Sequence, residues 1–279
     1  MRTLRRLGSI VIVAIAWSVM IHAAQDTAAP VKVVLTPEQT EQFLLNAKIV
    51  RMRSAGSGVT NSRRATLSDG QLTHDAHVQV VNAARTVFEA RGYTEINFRD
   101  TYRYNIAGYR VARLLELDNV PMSVERRVDG QLAAVTWWID DVLMDEGERL
   151  KKKARDPNVE RANGYIFRHR VFDELIQNRD RNLGNLVYTT DWKLWMIDHT
   201  RAFRLGHELL KPEQLTRIER SLFESLRQLT PAALTAAVGT SLMKQEIDAI
   251  LVRRDVIVKF FEARIAERGE ATVLYTLPR

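Results

Sequence analysis

The sequence predicts an α+β protein with two lobes, in which strands dominate the amino-terminal half and helices dominate the carboxy-terminal half. Between residues 48 and 139, short segments of alternating apolar and polar residues are separated by Asp-Gly and Gly-Ser turns, which is typical of antiparallel strands. Beyond residue 140 the apolar residues recur at helical spacing. The 279 residues, 46% of them hydrophobic, fit two lobes that share a cleft and exclude a disordered or collagen-like protein.

The first half contains one capped helix, a three-stranded sheet, a second helix and a hairpin. Thr36-Pro37-Glu38-Gln39 combines a hydroxyl, a first-turn proline and a glutamine three residues after the threonine, which indicates a capping box. The predicted elements are, in order, a helix from Pro37 to about Ala47, strands over Lys48–Arg53, Arg63–Ser68 and Leu72–Val81, a helix over Thr101–Leu117, and strands over Val120–Val128 and Leu132–Ile139.

The second half is predicted to be helical apart from a single pair of strands. The helices are expected over Asp141–Ala154, Glu160–Ile176, Pro212–Arg227, Pro231–Val238 and Lys244–Arg268. The strands are expected over Leu186–Tyr188 and Lys193–Ile197, around the turn at residues 189–191.

The amino terminus predicts export. Met1–Arg6 carries three arginines, and the apolar run Leu7–Ala24 follows, as in a secretory signal. The run is also at the lower limit for spanning a bilayer of ~30 Å, so an uncleaved anchor is the alternative. Both interpretations make the protein periplasmic or extracellular. We therefore predict three segments: 1–24 as signal peptide or anchor, 25–139 as the amino-terminal lobe and 140–279 as the helical lobe.

Composition excludes several kinds of site and partner. The chain has no cysteine, which excludes disulfides, thiolate metal sites and cysteine nucleophiles. A net charge of +7 is too small to indicate nucleic acid, and membrane contact is expected only through residues 1–24. His74, His77 and His199 lack the helical spacing of zinc ligands, so we expect no zinc site.

The spacing of three oxygen-bearing side chains predicts the chemistry. Asp180 and Asn185 lie five residues apart on a loop that leaves a helix, and Asp198 ends a strand that turns back toward them. Such a layout can direct two carboxylates and an amide at one point. Phosphoryl transfer requires one carboxylate near the attacking hydroxyl, together with an Asp and an Asn oxygen that hold the cation bridging the phosphates.

Two segments around these residues resemble the protein-kinase-like superfamily. The segment from Asn178 to Asn185, Asn-Arg-Asp-Arg-Asn-Leu-Gly-Asn, is similar to the catalytic loop of its atypical branch, which contains phosphatidylinositol kinases, HipA-type kinases and secretory-pathway kinases. The segment from Ile197 to Phe203, Ile-Asp-His-Thr-Arg-Ala-Phe, resembles the metal-binding segment of the same branch, and most closely that of the secretory kinases.

This resemblance implies a two-lobed protein-kinase-like fold and assigns roles to the residues that match. Asp180 would be the catalytic aspartate, Asn185 and Asp198 would be the metal ligands, and Arg181 would be a loop-ordering or phosphate-facing cation. The cofactors would be ATP or another nucleoside triphosphate with Mg²⁺ or Mn²⁺. The partners would be that nucleotide and a hydroxyl acceptor on protein, carbohydrate or lipid.

The chain departs from the family pattern at several positions. Thr200 replaces the glycine common after the metal aspartate, and a neutral amide pair, Gln79 and Asn105, stands where the family has a lysine and its glutamate partner. Amides form hydrogen bonds but do not neutralise phosphate charge. Arg64, or Arg53 or Arg63, is the hypothetical substitute for the lysine. The expected phosphate loop, formed by Gly56, Ser57, Gly58 and Thr60, lacks the third glycine of the common kinase loop.

The leading hypothesis is therefore an exported atypical kinase-like phosphotransferase, with Trp138 or Ile139 lining an adenine pocket. The alternative is a pseudokinase-like module that binds a nucleotide or a partner without turnover, as Gln79 and Asn105 suggest. A third alternative is an unrelated envelope protein whose carboxylates are structural.

Overall fold

The computed structural model describes residues 35–55, 62–90 and 92–278, and from Leu35 onward the chain forms one compact unit. The predicted signal or anchor, residues 1–24, lies outside the described residues. The strands are β1 Lys48–Ser54, β2 Arg63–Ser68, β3 Thr73–Gln79, β4 Asn82–Ala90, β5 Tyr93–Thr101, β6 Ser123–Val128, β7 Gln131–Trp137, β8 Val142–Asp145, β9 Leu186–Thr189, β10 Leu194–Met196, β11 Ile218–Glu219 and β12 Leu274–Tyr275. The helices are α1 Pro37–Asn46, α2 Arg103–Leu114, α3 Glu146–Lys152, α4 Val159–Leu175, α5 Arg220–Gln228, α6 Pro231–Val238, α7 Lys244–Arg268 and α8 Glu270–Val273.

The amino-terminal half is built on a five-stranded antiparallel sheet in the order β1-β2-β3-β7-β6. Alternate residues of its strands, among them Leu67 and Val78, pack into a buried apolar cluster with Phe43 and Leu44 of α1. The predicted capping box is present, since the Thr36 hydroxyl accepts from the Gln39 N–H at 3.2 Å and Gln39 Oε1 accepts from the Thr36 N–H at 2.8 Å. The predicted hairpins and the helix over residues 101–117 are confirmed, with α2 ending at Leu114.

One element of this half was not predicted: the β4–β5 hairpin, which pairs only with itself. Its residues Val87 and Ile96 face each other across the ribbon and are exposed, whereas Phe88 and Phe98 stack on each other at 4.2 Å. Because the ribbon packs against arginines instead of an apolar core, its sequence lacks the alternation that marks a half-buried strand.

The carboxy-terminal half packs its helices around a larger apolar cluster that also includes residues of β9 and β10. The predicted strand pair is confirmed as β9 and β10, and the predictions for α4, α6 and α7 are correct to within a residue at each end. No helix among the described residues is long and apolar enough to cross a membrane.

Two helix predictions are wrong at their amino-terminal ends. Residues 142–145 form a strand, β8, which pairs with β9, and only then does Asp145 cap α3 by accepting from the Glu148 N–H at 2.7 Å. The predicted helix over Pro212–Arg227 begins instead at Arg220, after a 3₁₀ turn and the short strand β11. Strand β11 pairs in parallel with β12, more than 50 residues further along the chain, a partner that local periodicity does not indicate.

Candidate functional site

A cavity of about 620 Å³ lies between the five-stranded sheet and the helical half. Asp180, Asn185 and Asp198 all line it, as the sequence predicts. The sheet side contributes Gln79, and α2 contributes Asn105. Trp138 and Ile139, the predicted adenine-pocket residues, follow β7 and also line the cavity. The structure therefore brings five of the eleven predicted site residues to one space.

The loop that carries Asp180 is shaped by short-range hydrogen bonds. The Asp180 N–H donates to Asn178 Oδ1 at 3.1 Å, and the Asp180 carbonyl accepts from the Asn182 N–H at 2.8 Å. The carboxylate of Asp180 is 47% exposed and lies 3.2 Å from Nη1 of Arg201. An accessible carboxylate at this point can accept a hydrogen bond, or a proton, from a hydroxyl placed in the cavity.

The Arg181 side chain lies outside the cavity lining and joins the Asp180 loop to neighbouring segments by hydrogen bonds. Its guanidinium donates to Asp173 of α4 at 2.9 Å and to the carbonyls of Ile197 at 2.6 Å and Asn185 at 3.2 Å. The side chain is nearly buried and is not among the residues that line the cavity. Of the two roles that the resemblance implies, these contacts favour loop ordering, so Arg181 is a positioning residue.

Asp198 follows β10 with a left-handed backbone, at a φ of 52°. Its Oδ1 accepts from the Thr200 N–H at 3.3 Å and from the Thr200 hydroxyl at 3.0 Å. Thr200 itself does not have a positive φ, so its position does not require the backbone freedom of glycine. The threonine therefore replaces glycine without strain and orients the aspartate instead.

The Gln79 and Asn105 side chains are hydrogen-bonded to each other, and Asn105 is also hydrogen-bonded to the segment 197–203. Asn105 Nδ2 donates to Gln79 Oε1 at 2.9 Å, and Asn105 Oδ1 accepts from the His199 N–H at 2.7 Å. Both amides are buried. The His199 ring lies against α2 at Gly108, where a Cβ atom would be 3.0 Å from the His199 Cγ. Close packing and neutral hydrogen bonds thus connect β3, α2 and the segment after β10.

The described lining of the cavity is acidic. It contains the carboxylates of Asp145, Asp180 and Asp198 and no lysine or arginine among the described residues. Burial lowers the pKa of His77, which also lines the cavity, although the charge of Asp198 opposes this. Burial raises the pKa of the nearby Asp100, and the negative charges of Asp198 and Asp180 add to the effect, while a Thr200 hydrogen bond and Arg201 oppose it.

The arginines considered as substitutes for the lysine are each paired with a carboxylate. Arg64 contacts Asp75 at 2.5 Å and lies 4.1 Å above the Trp138 ring, and Arg53 lies 3.6 Å from the same aspartate. Arg63 contacts Asp129 at 2.7 Å. None of the three arginines lines the cavity. To contact a nucleotide there, each would have to leave its carboxylate partner. The predicted phosphate loop, Gly56 to Thr60, lies outside the described residues, although the flanking Ala55 and Ser62 line the cavity.

The side chains that line the cavity provide only some of the ligands that a hard divalent cation needs. Among the described residues, no three His, Cys, Asp or Glu side chains lie close enough to hold a metal by themselves. Asn185 and Asp198 provide one amide and one carboxylate, and Mg²⁺ is commonly bound by one or two such protein ligands, with substrate phosphates and water completing the octahedron. The cavity therefore suits a cation that arrives with a phosphate-bearing ligand.

Sequence reasoning missed two charged residues next to the site. Arg201 lies within the segment that carries the resemblance, but no sequence pattern indicates its contact with Asp180. Glu95, on the unpredicted β5, contacts Arg201 at 3.6 Å and Arg204 at 2.7 Å. Both contacts depend on where the β4–β5 hairpin lies, which no local pattern indicates.

Comparison with known proteins agrees with this architecture. No family model matches the chain, and no curated protein matches it in sequence. The solved structure of hydra Fam20 with sugar superimposes with a TM-score of 0.64 at 13% identity, over 86% of this chain and 92% of that one. The crystal structure of the golgi casein kinase superimposes with a TM-score of 0.61 at 14% identity, over 88% and 80%.

The chain has an atypical protein-kinase-like fold. The predicted fold class, with its strand-rich and helical parts, is thereby confirmed. At this level of identity the similarity concerns the fold, and the roles of individual residues in the kinase-like cleft depend on the geometry described above.

Proposed function

We propose that the protein is an exported phosphotransferase that moves phosphate from ATP, or another nucleoside triphosphate, to a hydroxyl acceptor on protein, carbohydrate or lipid. The observation that carries the proposal is that Asp180, Asn185 and Asp198 line a single cavity. The kinase-like fold supports it, and the arginine-preceded apolar run at the amino terminus supports export.

Each residue of this set has a distinct task. Asp180 orients the acceptor hydroxyl and receives its proton as the hydroxyl oxygen bonds to the terminal phosphorus of the nucleotide. The bond from that phosphorus to the nucleoside diphosphate breaks in the same transfer, and the diphosphate leaves. Asn185 and Asp198 would hold Mg²⁺ or Mn²⁺, which neutralises phosphate charge when bound. The Thr200 hydrogen bonds occupy Oδ1 of Asp198 and fix the carboxylate for this purpose. Trp138 and Ile139 provide an apolar surface for the base.

A second candidate is a nucleotide- or partner-binding module without turnover. The buried Gln79–Asn105 pair favours it, because neither amide brings the positive charge that a lysine offers to phosphate. The two candidates share the fold and the cleft and differ in whether phosphate is transferred.

The test combines metal-dependent nucleotide binding with turnover. Thermal unfolding of the protein is followed with ATP in the presence of Mg²⁺, Mn²⁺ or EDTA, and transfer to hydroxyl acceptors is then measured. We expect Asp198→Ala to lose metal-dependent stabilisation by ATP. We expect Asp180→Ala to keep that stabilisation and to lose transfer by at least about 100-fold, the size of a general-base contribution.

Asp248→Ala serves as the matched control, since Asp248 is exposed on α7 and pairs only with Lys244 among the described residues. Nucleotide binding without transfer to protein, sugar or lipid acceptors would favour the binding module. Failure of ATP to stabilise the wild-type protein with any metal would contradict the phosphotransferase and leave only a module that binds a partner without nucleotide.

A further inference from the structure

His77 lies on the face of β3 that borders the cavity between the sheet and the helical half. Its strand neighbours Ala76 and Val78 are buried in the apolar cluster of the sheet, and because successive side chains of a strand point to opposite faces, His77 points away from that cluster. The half-buried imidazole lines the same cavity as Asp180 and Asp198. No hydrogen bond joins the ring to another group in the described part of the chain. The ring nitrogens are therefore available to a ligand in the cavity.

The charged and titratable groups around the His77 ring are mainly acidic. On the sheet, Arg64 stands opposite His77 in the register, but its guanidinium contacts Asp75 at 2.5 Å. Strand β7, on the other side of β3, presents the uncharged Thr136. The remaining groups that line the cavity are Asp145, Asp180, Asp198 and the buried His199.

The His77 ring is neutral in the protein alone. Burial lowers the pKa of His77, and the charge of Asp198 opposes this shift. Asp198 acts through space, since its hydrogen bonds go to Thr200 and no ion pair joins it to His77 among the described residues. The neutral ring therefore lies in the field of the carboxylate around which the phosphates would gather under the proposed function.

A bound nucleoside triphosphate would change this balance of charge. Its phosphates bring more negative charge than one divalent cation removes, and negative charge favours the imidazolium form of a nearby histidine. The described lining contains no lysine or arginine, and Gln79, two residues along the same face of β3, is a neutral amide bonded to Asn105. Apart from the buried His199, His77 is thus the residue of the described lining that can supply a positive charge.

We propose that His77 takes up a proton from solvent when the nucleotide binds, and that its imidazolium then balances phosphate charge in place of a permanent cation. The inference rests on the proposed function, because it specifies how the same cavity binds its nucleotide. The pH dependence that follows has a fixed sign. The complex holds a proton that the free protein lacks, so the affinity for ATP rises as the pH falls, and the contribution of His77 is lost as the pH rises above the pKa of the ring in the complex.

The first experiment counts the protons. Binding of ATP with Mg²⁺ to the full chain is measured by calorimetry at about pH 6.5, the usual pKa of histidine, in buffers that differ in ionisation enthalpy. The dependence of the heat on the buffer gives the number of protons taken up. We expect the wild type to take up more protons than His77→Gln, by up to about one per ATP. His207→Gln should behave as the wild type, because His207 is exposed and does not line the cavity.

The second experiment follows the affinity for ATP with Mg²⁺ from about pH 5.5 to about pH 8, the range in which histidine titrates. We expect His77→Gln to bind ATP about tenfold more weakly than the wild type at the acidic end, the effect of losing one charge-assisted hydrogen bond, and equally well at the alkaline end. His77→Lys keeps its positive charge throughout this range, so it should bind ATP more tightly than the wild type at the alkaline end. Thermal unfolding at each pH verifies that every variant is folded.

The outcomes separate this proposal from the proposed function. Equal proton uptake by the wild type and His77→Gln, or a ratio of their affinities that does not change with pH, overturns the role of His77, while phosphotransfer stands if ATP is bound and its phosphate transferred. Proton uptake through His77 without transfer to any acceptor supports this role in the binding module and contradicts the phosphotransferase. Absence of ATP binding to the wild type at every pH contradicts the phosphotransferase and the role of His77 together.

Discussion

Gln79 and Asn105 show how a charged contact can be replaced without loss of structure. Their hydrogen bond is 2.9 Å long, and the Asn105 side chain also accepts from the backbone of His199. Burying two neutral amides that are hydrogen-bonded costs less desolvation energy than burying an ammonium and a carboxylate. The pair therefore holds α2 against the segment 197–203, and under the proposed function phosphate charge must be neutralised by other groups.

This contact predicts the effect of Asn105→Leu. The substitution leaves the His199 N–H and the buried Gln79 amide without the partners they have now, so the free energy of unfolding should fall by about 1–3 kcal/mol. Urea unfolding measures the change. Asn163→Leu is the control, because Asn163 is exposed on α4. Equal stability of the two variants would show that the Asn105 hydrogen bonds contribute nothing to the fold.

At the scale of elements, the β4–β5 hairpin contacts the segment 197–203 and holds the arginine that lies beside Asp180. The Thr101 N–H donates to the Thr200 carbonyl at 2.9 Å, which joins the end of β5 to that segment. The Arg201 guanidinium carbon lies 5.0 Å from the centre of the Phe98 ring and 5.7 Å from that of Phe88. The two phenylalanine rings and the Glu95 carboxylate together hold Arg201, the residue that contacts Asp180.

The hairpin should therefore influence turnover through Glu95. Glu95→Gln removes the negative charge shared by Arg201 and Arg204, both of which are largely buried. With that charge gone, Arg201 is drawn more strongly to Asp180 and makes the carboxylate a weaker base. We expect kcat to fall by about tenfold, part of a general-base contribution, with KM for ATP unchanged. Steady-state kinetics with the best acceptor measures both constants.

Glu89→Gln is the matched control, since Glu89 is exposed on the same hairpin. A pH–rate profile separates positioning from simple loss of structure, because a weaker base shifts the acidic limb of the profile whereas partial unfolding lowers the rate at every pH. An unshifted profile with an unchanged kcat would contradict the role given to the hairpin.

The elements that could be predicted from the sequence are those whose cause is local. The α1 capping box needs only Thr36 to Gln39, and Asp180, Asn185 and Asp198 could be identified because their spacing around one short hairpin brings them together. Strands β8 and β11 pair with segments distant in the sequence, so their own residues give no periodic signal. The contacts of Arg201 could not be predicted either. They depend on the β4–β5 hairpin, which packs against charged side chains and not against an apolar core.

At the scale of the whole molecule, buried arginines join the elements of the helical half through hydrogen bonds. Arg168 of α4 donates to Glu219 of β11 at 2.7 Å and to Asp118, which follows α2, also at 2.7 Å. Arg253 of α7 is fully buried and donates to the carbonyl of Leu175 at 2.8 Å and to that of Arg204 at 2.9 Å, and it also contacts the Gly206 carbonyl. These hydrogen bonds join α7 to the end of α4 and to residues 204 and 206.

The Arg253 guanidinium donates to backbone carbonyls and, among the described residues, to no carboxylate. Its charge is therefore stabilised by carbonyl dipoles. Burial lowers the pKa of Arg253 to about 10, with Glu208 and Glu174 opposing the shift, so the side chain stays protonated at neutral pH. Removing it leaves three backbone carbonyls without their charged donor, and each such loss in a buried position carries a desolvation penalty.

We therefore expect Arg253→Met to lower the free energy of unfolding by about 3 kcal/mol or more, measured by urea unfolding at pH 7. Arg268→Met makes the same replacement at the exposed end of the same helix and should change stability by less than about 0.5 kcal/mol. A variant as stable as the wild type would show that α7 does not support the core through this residue.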